Sequence, residues 1–211
     1  LKEQGLKIAS VCWPLTQGAD SIDKNIPEFY SQEAFDSGCS PEFYENLREE
    51  GFPVSQYGKW SDDWLLGPMQ DDLTTKIIEK LILEKETDVI LGHFLLHDSY
   101  QHEFGVRSEE AMWALEYLDR CLGRILSALE ESDQYSDTNI LVFSDHGHCS
   151  VDKPYDVNEI IAQKQKMPPF VIANNGGCVH VYANENHTKD DLIAAKKILA
   201  DYEGTDAVYD E

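Results

Sequence analysis

Short, continuous apolar runs alternate with helical segments along this chain, and this alternation limits the folds open to it. Residues 7–12, 87–96 and 139–144 are predicted to be buried strands. Between the last two, Ser108 precedes a helix to about Glu131, whose apolar residues recur every three or four positions. Strands without a polar face that alternate with helices are typical of a sheet covered on both sides. The sequence therefore predicts an α/β fold.

Local signals predict the remaining elements. Asp71 and Asp72 are expected in the first turn of a helix to about Lys85, where acidic side chains are favourable. Thr188 and Asp191 have the spacing of a capping box. Further helices are predicted near residues 41–50, 157–164 and 188–201, and further strands at 170–173 and 178–182, joined by a turn at 174–177.

The domain organisation is predicted from length and pattern. A chain of 211 residues is expected to form one domain. Residues 1–14 carry a core strand, residues 15–68 are predicted to be an irregular, cap-like excursion, and residues 69–211 form the rest of the core. The chain begins without methionine and in the middle of a pattern, so we expect it to be a piece of a longer polypeptide.

Composition narrows the classes of partner. Forty acidic residues against seventeen basic ones give a formal net charge of −23, which argues against a nucleic-acid scaffold. No apolar run reaches the length of about 18 residues that a membrane span needs. The five cysteines are widely spaced and odd in number, so reduced thiols are expected, and these slightly favour a cytoplasmic setting.

The first motif with metal-ligand chemistry follows the predicted strand 87–96. It reads His97-Asp98-Ser99-Tyr100-Gln101-His102. Asp98 and His102 are four residues apart, so a helical turn would place them on one side. A carboxylate with an imidazole suits zinc, manganese or iron better than calcium or magnesium. An isolated D-x-x-x-H spacing is also typical of a helix cap followed by a surface histidine.

The second motif, Ser144-Asp145-His146-Gly147-His148, follows the predicted strand 139–144. Adjacent Asp145 and His146 would point to opposite faces of a strand, so they can share a metal only where the strand breaks into a turn. Five of the seven histidines lie between residues 93 and 148. Two such motifs at the ends of buried strands predict a metal centre at the carboxyl edge of the sheet.

The order strand, D-S-x-x-H, F-G, long helix, strand and S-D-H-G resembles the type I phosphodiesterase/nucleotide pyrophosphatase family of the alkaline phosphatase superfamily. Gly5-Leu6-Lys7 with Trp13-Pro14, and the Asn175-Gly176-Gly177 turn, are similar to segments of the same family. Gln101 differs from the glycine usual before the second ligand. The resemblance implies an alkaline phosphatase-like core sheet flanked by helices on both faces, incomplete at both ends, and a two-metal phosphoester hydrolase.

The resemblance also implies roles for single residues. Asp98 and His102 match two ligands of one metal, and Asp145 and His146 match two ligands of the other. His97 and His148 are candidates for orienting ligands or contacting substrate. The metals are expected to be zinc, with manganese as the alternative. No catalytic residue is assigned, because the family's threonine or serine nucleophile and its remaining ligands have no matching position here.

Other functions remain open at this point. A cofactor-independent phosphoglycerate mutase or a phosphopentomutase shares D-x-x-x-H and D-H-G but prefers manganese and usually has asparagine where His148 stands. A phosphonate hydrolase of the same superfamily is harder to exclude than these mutases. From another class, the chain would be a non-catalytic acidic interaction module with incidental histidines. The predicted partner is a small-molecule phosphoester, and the oligomeric state is unassigned.

Overall fold

The computed structural model describes residues 1–61, 63–151 and 153–209. The chain forms two compact units, Leu1–Ser150 and Val151–Glu211. Hydrophobic residues cluster within each unit, and the largest cluster lies in the first. Helices flank a small parallel sheet in the first unit and accompany an antiparallel pair of strands in the second. The predicted α/β class is confirmed.

The sheet of the first unit has three parallel strands. β1 (Ile8–Trp13) lies in the centre, between β2 (Lys24–Pro27) and β3 (Val89–Gly92). Ile8 pairs with Val89, and Val11 pairs with Ile26. Parallel pairing brings the carboxyl ends of all three strands to one edge. The predicted strand 7–12 is confirmed by β1, whose regular pairing is interrupted between Val11 and Trp13.

The segment 15–68 contains more regular structure than its sequence predicts. Besides β2 it forms α1 (Gln32–Gly38), α2 (Pro41–Glu49) and α3 (Tyr57–Ser61). The helix expected near residues 41–50 is confirmed by α2. β2 has no apolar run of its own and ends at a proline, so it becomes a buried strand only through pairing with β1. Short 3-10 turns occur at Lys2–Gln4, Val54–Gln56, Trp64–Leu66 and, later in the chain, Tyr135–Asp137.

Two boundaries near the candidate site differ from the sequence prediction. Helix α4 (Gly67–Glu84) starts before Asp71, with a proline in its first turn, so Asp71 lies inside the helix and is buried. The predicted strand 87–96 is shorter, because β3 ends at Gly92 and a new helix, α5 (Leu96–Phe104), begins where the strand was expected to finish. Continuous apolar sequence does not distinguish a strand from a buried helix start.

The long helix α6 (Glu109–Glu131) confirms the predicted cap and length. The Ser108 hydroxyl accepts the backbone N–H of Ala111 at 3.1 Å. The apolar periodicity of this helix predicts a buried face through Ala111, Leu115, Leu118, Leu122, Ile125 and Leu129. The buried face is rotated from this one, since Cys121 and Ala128 are buried while Leu115 is 46% exposed. Arg124 ties α6 to α4 through hydrogen bonds to the carboxylates of Asp72 and Glu79.

The predicted buried strand at 139–144 is wrong. These residues pair with no strand among those that the structure describes. The side chains of Leu141, Val142 and Phe143 are 84%, 73% and 71% exposed. A strand needs a neighbouring strand to pair with its backbone N–H and C=O groups. A local apolar run does not show whether such a neighbour is present.

The second unit follows its local signals closely. It comprises α7 (Val157–Lys164), β4 (Val171–Asn175), β5 (Cys178–Tyr182) and α8 (Lys189–Ala200). β4 and β5 form the predicted hairpin, with Gly176 in the left-handed region at φ 60°. The predicted capping box between Thr188 and Asp191 is present at α8. In the described parts of both units, no helix has the length and apolar character needed for a membrane span.

Candidate metal centre

Asp98 and His102 lie one turn apart on α5, on the same side of the helix. Asp98 Oδ2 is 3.6 Å from His102 Nε2. The i, i+4 spacing on a helix explains this proximity. Because α5 follows β3 after a short connection, both side chains belong to the carboxyl edge of the sheet, where ligands collect in α/β folds.

Residues 144–148 supply the second group of side chains. Asp145 lies in a bend. Its Oδ1 accepts the backbone N–H of His146 at 3.0 Å, and its Oδ2 is 3.5 Å from His146 Nε2. In a regular strand these neighbours would face opposite sides. The bend therefore brings the two side chains together, as sharing a metal requires.

The two motifs converge on the carboxylate of Asp98. Its Oδ1 is 2.6 Å from His148 Nε2 and 3.9 Å from His146 Nε2. Ligand-type atoms of Asp98, His102 and His148 all lie within 4.8 Å of one another. The rings of His102 and His148 meet edge to face, with centroids 4.6 Å apart. Residues that are distant in sequence thus form one cluster.

The donor set of this cluster fits a divalent transition metal. Carboxylate oxygens and imidazole nitrogens within a few ångströms of one another are the ligand types of zinc and manganese sites. Burial is uneven: the side chain of His148 is 13% exposed, whereas that of His102 is 70% exposed. The cluster therefore combines a shielded histidine, hydrogen-bonded to the half-exposed Asp98, with histidines that remain open to solvent.

The other histidines have separate partners. His97 Nδ1 is 2.9 Å from the carbonyl oxygen of Ala111 on α6, so this ring is engaged by the neighbouring helix. In the second unit, His187 stacks on Phe170 with centroids 4.0 Å apart and hydrogen bonds to the backbone of Pro168. These contacts hold the histidines within the fold. The suggested role of His97 toward ligands or substrate stays a prediction.

Sequence reasoning missed a polar pair at the same edge of the sheet. Glu28 follows β2, and its Oε2 is 3.6 Å from Nδ1 of His93, which follows β3. Burial raises the pKa of Glu28; the nearby His93 opposes this, and the negative charges of Asp98 and Asp145 add to it. Placing the end of the strand at Gly92 rather than 96 would have shown His93 at a strand terminus.

Asp71 was predicted to lie in the first turn of a helix, yet it lies inside α4, fully buried against the start of α5. Its Oδ1 accepts the backbone N–H of Leu95 at 3.0 Å and its Oδ2 accepts that of Leu96 at 3.1 Å. Burial raises the pKa of Asp71 to about 7, although both N–H donors act in the opposite direction. Desolvation of the carboxylate is the larger effect.

The raised pKa of Asp71 predicts a stability that depends on pH. Between about pH 4 and pH 7 the folded chain holds a proton that the unfolded chain has lost. The resulting stabilisation is complete below about pH 4 and is lost as the pH rises through about 7. We expect Asp71→Asn to remove this dependence, so that its unfolding free energy relative to the unaltered chain changes by on the order of 3 kcal/mol over this range.

Denaturant titrations of both proteins at several pH values, with a chelator present, measure this difference. Contributions of the other ionisable groups cancel in the comparison. Parallel curves of unfolding free energy against pH for the two proteins would contradict the assignment.

Comparison with known families assigns the chain to a family. The family model described as type I phosphodiesterase / nucleotide pyrophosphatase matches residues 1–209. The chain belongs to this family, and the resemblance inferred from its motifs is confirmed. Membership places it among phosphoester hydrolases that act on small-molecule phosphoesters and are typically metal-dependent. A search of curated proteins and a search of solved structures gave no significant match.

Proposed function

We propose that this chain carries the metal-binding part of a two-metal phosphoester hydrolase. The convergence of the D-x-x-x-H helix and the D-H-G-H bend on Asp98 is the observation that supports it most directly. In this assignment Asp98 and His102 hold one ion, and Asp145 and His146 hold the other. Zinc is the expected metal, with manganese as the alternative.

The residues of the cluster would hold the metal ions and orient the ligands. A bound pair of divalent ions supplies charge stabilisation for a phosphoryl centre and activates an attacking hydroxyl or water. His148, at 2.6 Å from Asp98 and largely shielded, would fix the orientation of that carboxylate. His102 and His146 are exposed enough for their rings to adjust around an ion. Free carboxylates would repel an anionic phosphate. As metal ligands, the carboxylates of Asp98 and Asp145 would instead help to hold the cations that attract it.

We place the hydroxyl nucleophile outside this chain. Thr74 and Thr75 imitate a nucleophile before a helix, but both are buried inside α4, and the Thr75 hydroxyl donates to the carbonyl of Asp71. Ser99 on α5 donates its hydroxyl to the carbonyl of Leu95. These bonds favour structural roles for the hydroxyl groups nearest in sequence to the ligands. No residue of the chain is therefore assigned as catalytic.

We also propose that residues 1–211 belong to a single, partial catalytic domain, in which the segments 1–14, 15–68 and 69–211 keep their predicted roles. Residues 15–68 would cover the carboxyl edge of the sheet as a cap-like segment, since Glu28 at the end of β2 lies beside His93 there. Selection of the phosphoester substrate would then depend on this segment.

Metal analysis combined with an activity assay tests the proposal. After reconstitution with zinc or manganese and removal of free ion, we expect the chain to retain a divalent ion by plasma mass spectrometry. We expect no hydrolysis of bis(4-nitrophenyl) phosphate by the same sample, because the nucleophile is missing.

Each result bears on a different part of the proposal. Failure to retain either ion would overturn the metal centre. Turnover by the purified chain would instead overturn the placement of the nucleophile. Retention of manganese with rejection of zinc would favour a mutase-like site.

A further inference from the structure

The first turn of α5, which carries Asp98, rests directly on the first turns of α4. Leu96 is fully buried there. A Cβ atom on Gly67 would lie 2.9 Å from Leu96 Cδ1, closer than side chains normally approach. Gly67 thus permits a tight contact between the start of α4 and the start of α5. Asp71 follows one turn later on α4 and reaches the same part of α5.

Asp71 supplies the cap that α5 lacks locally. The first N–H groups of a helix have no partner inside the helix and need an acceptor. Leu95, at the N-cap position, has no side-chain oxygen and makes no capping bond. The carboxylate of Asp71 accepts the N–H groups of both Leu95 and Leu96, one on each oxygen. A residue of another helix therefore fixes the first turn of α5.

The position of this turn sets the position of two candidate ligands. Asp98 lies in the first turn of α5 and His102 one turn later. A metal site tolerates deviations of only about 0.2 Å in its ligand distances. Any shift of Leu95 and Leu96 moves Asp98 with them. Apolar packing of Leu96 and Tyr100 against Ala114 of α6 holds the other side of α5. The hydrogen bonds to Asp71 add a polar contact that fixes the first turn of α5.

We propose that Asp71 is a positioning residue for the metal centre, which it serves by holding the N-terminus of α5 and with it Asp98 and His102. This inference rests on the proposed function, because it requires the cluster to bind an ion. It differs from a purely structural cap in one measurable way. A structural cap would contribute to the stability of the fold without changing the affinity of the folded protein for the ion.

The test compares Asp71→Asn with Leu81→Ala in zinc titrations against a chromophoric chelator at pH 8, where Asp71 is ionised. Leu81 lies further along α4 in the main core, so its truncation lowers stability at a distance from Asp71. We expect Asp71→Asn to raise the zinc Kd by roughly tenfold or more, the size found for residues that orient ligands. Leu81→Ala is expected to keep the Kd of the unaltered chain.

Cobalt substitution adds a readout of geometry. The visible absorption of bound Co²⁺ should change in Asp71→Asn and stay the same in Leu81→Ala, because only the first displaces ligands. If Asp71→Asn fails to fold by circular dichroism, Asp71→Glu replaces it. This variant keeps the carboxylate but lengthens the side chain by one methylene, which displaces the two acceptor oxygens relative to the N–H groups of Leu95 and Leu96. The same weakening of zinc binding is expected.

Two results would overturn the inference. Zinc affinity and cobalt spectrum identical to those of the unaltered chain, in folded Asp71→Asn or in folded Asp71→Glu, would show that Asp71 acts on stability alone. Absence of ion binding by the unaltered chain would remove the metal centre itself, and the inference with it. Zinc binding by the unaltered chain therefore tests the metal centre, and the variants test the positioning role of Asp71 separately.

Discussion

Replacing Asp98 with alanine is expected to weaken zinc binding at the cluster strongly while leaving the fold intact. Asp98 is the residue on which the cluster converges, with His148, His102 and His146 at 2.6, 3.6 and 3.9 Å from its oxygens. Loss of a ligand should exceed the 10–100-fold effect typical of residues that only orient ligands, so we expect the zinc Kd to rise by more than about 100-fold. The Asp98 side chain is 44% exposed, which limits its contribution to stability.

Glu103→Gln provides the matched control for this prediction. Glu103 is exposed on the same helix, and its replacement removes the same single negative charge. Competition titrations with zinc should show near-unchanged affinity for this variant. Equal Kd values for Asp98→Ala and the unaltered chain would mean that any bound ion lies elsewhere, and the cluster would lose its proposed role.

Replacing Phe35 with alanine is expected to destabilise the first unit by about 3–5 kcal/mol. Phe35 is fully buried and stacks on Tyr57, with ring centroids 4.0 Å apart. The Tyr57 hydroxyl in turn lies 3.0 Å from Cys12 Sγ at the end of β1. Truncation would leave a cavity between the segment 15–68 and the central strand of the sheet.

Chemical denaturation followed by circular dichroism measures this effect. Leu65→Ala is the control from the same segment, since Leu65 is 61% exposed and its truncation should change stability by no more than about 0.5 kcal/mol. A loss below about 1 kcal/mol for Phe35→Ala would show that the segment is separable from the core. The packing instead predicts that it folds together with the sheet.

The locally encoded parts of the fold could be predicted from the sequence. Ser108 and Thr188 cap helices because a hydroxyl accepts an N–H three residues ahead, an interaction that needs no distant partner. The hairpin at Gly176 depends on a glycine that accepts a positive φ. The i, i+4 pair of Asp98 and His102 required only that a helix include both residues. Family membership followed from the same short motifs.

Contacts between distant residues decided the rest. β2 has no strand signal of its own and is buried by pairing with β1. The apolar run 139–144, in contrast, pairs with no strand in the part of the chain that the structure describes, and its side chains are exposed. The sequence places Asp71 in the first turn of a helix, yet tertiary packing buries it and directs its carboxylate to the start of α5. The approach of His148 to Asp98 likewise depends on how α5 and the bend at Asp145 meet. The sequence by itself therefore determined the helix caps, the hairpin and the ligand-bearing motifs, because their interactions are local. Only the tertiary structure decided which strands pair and which side chains share the site, because those depend on surfaces far apart in the chain.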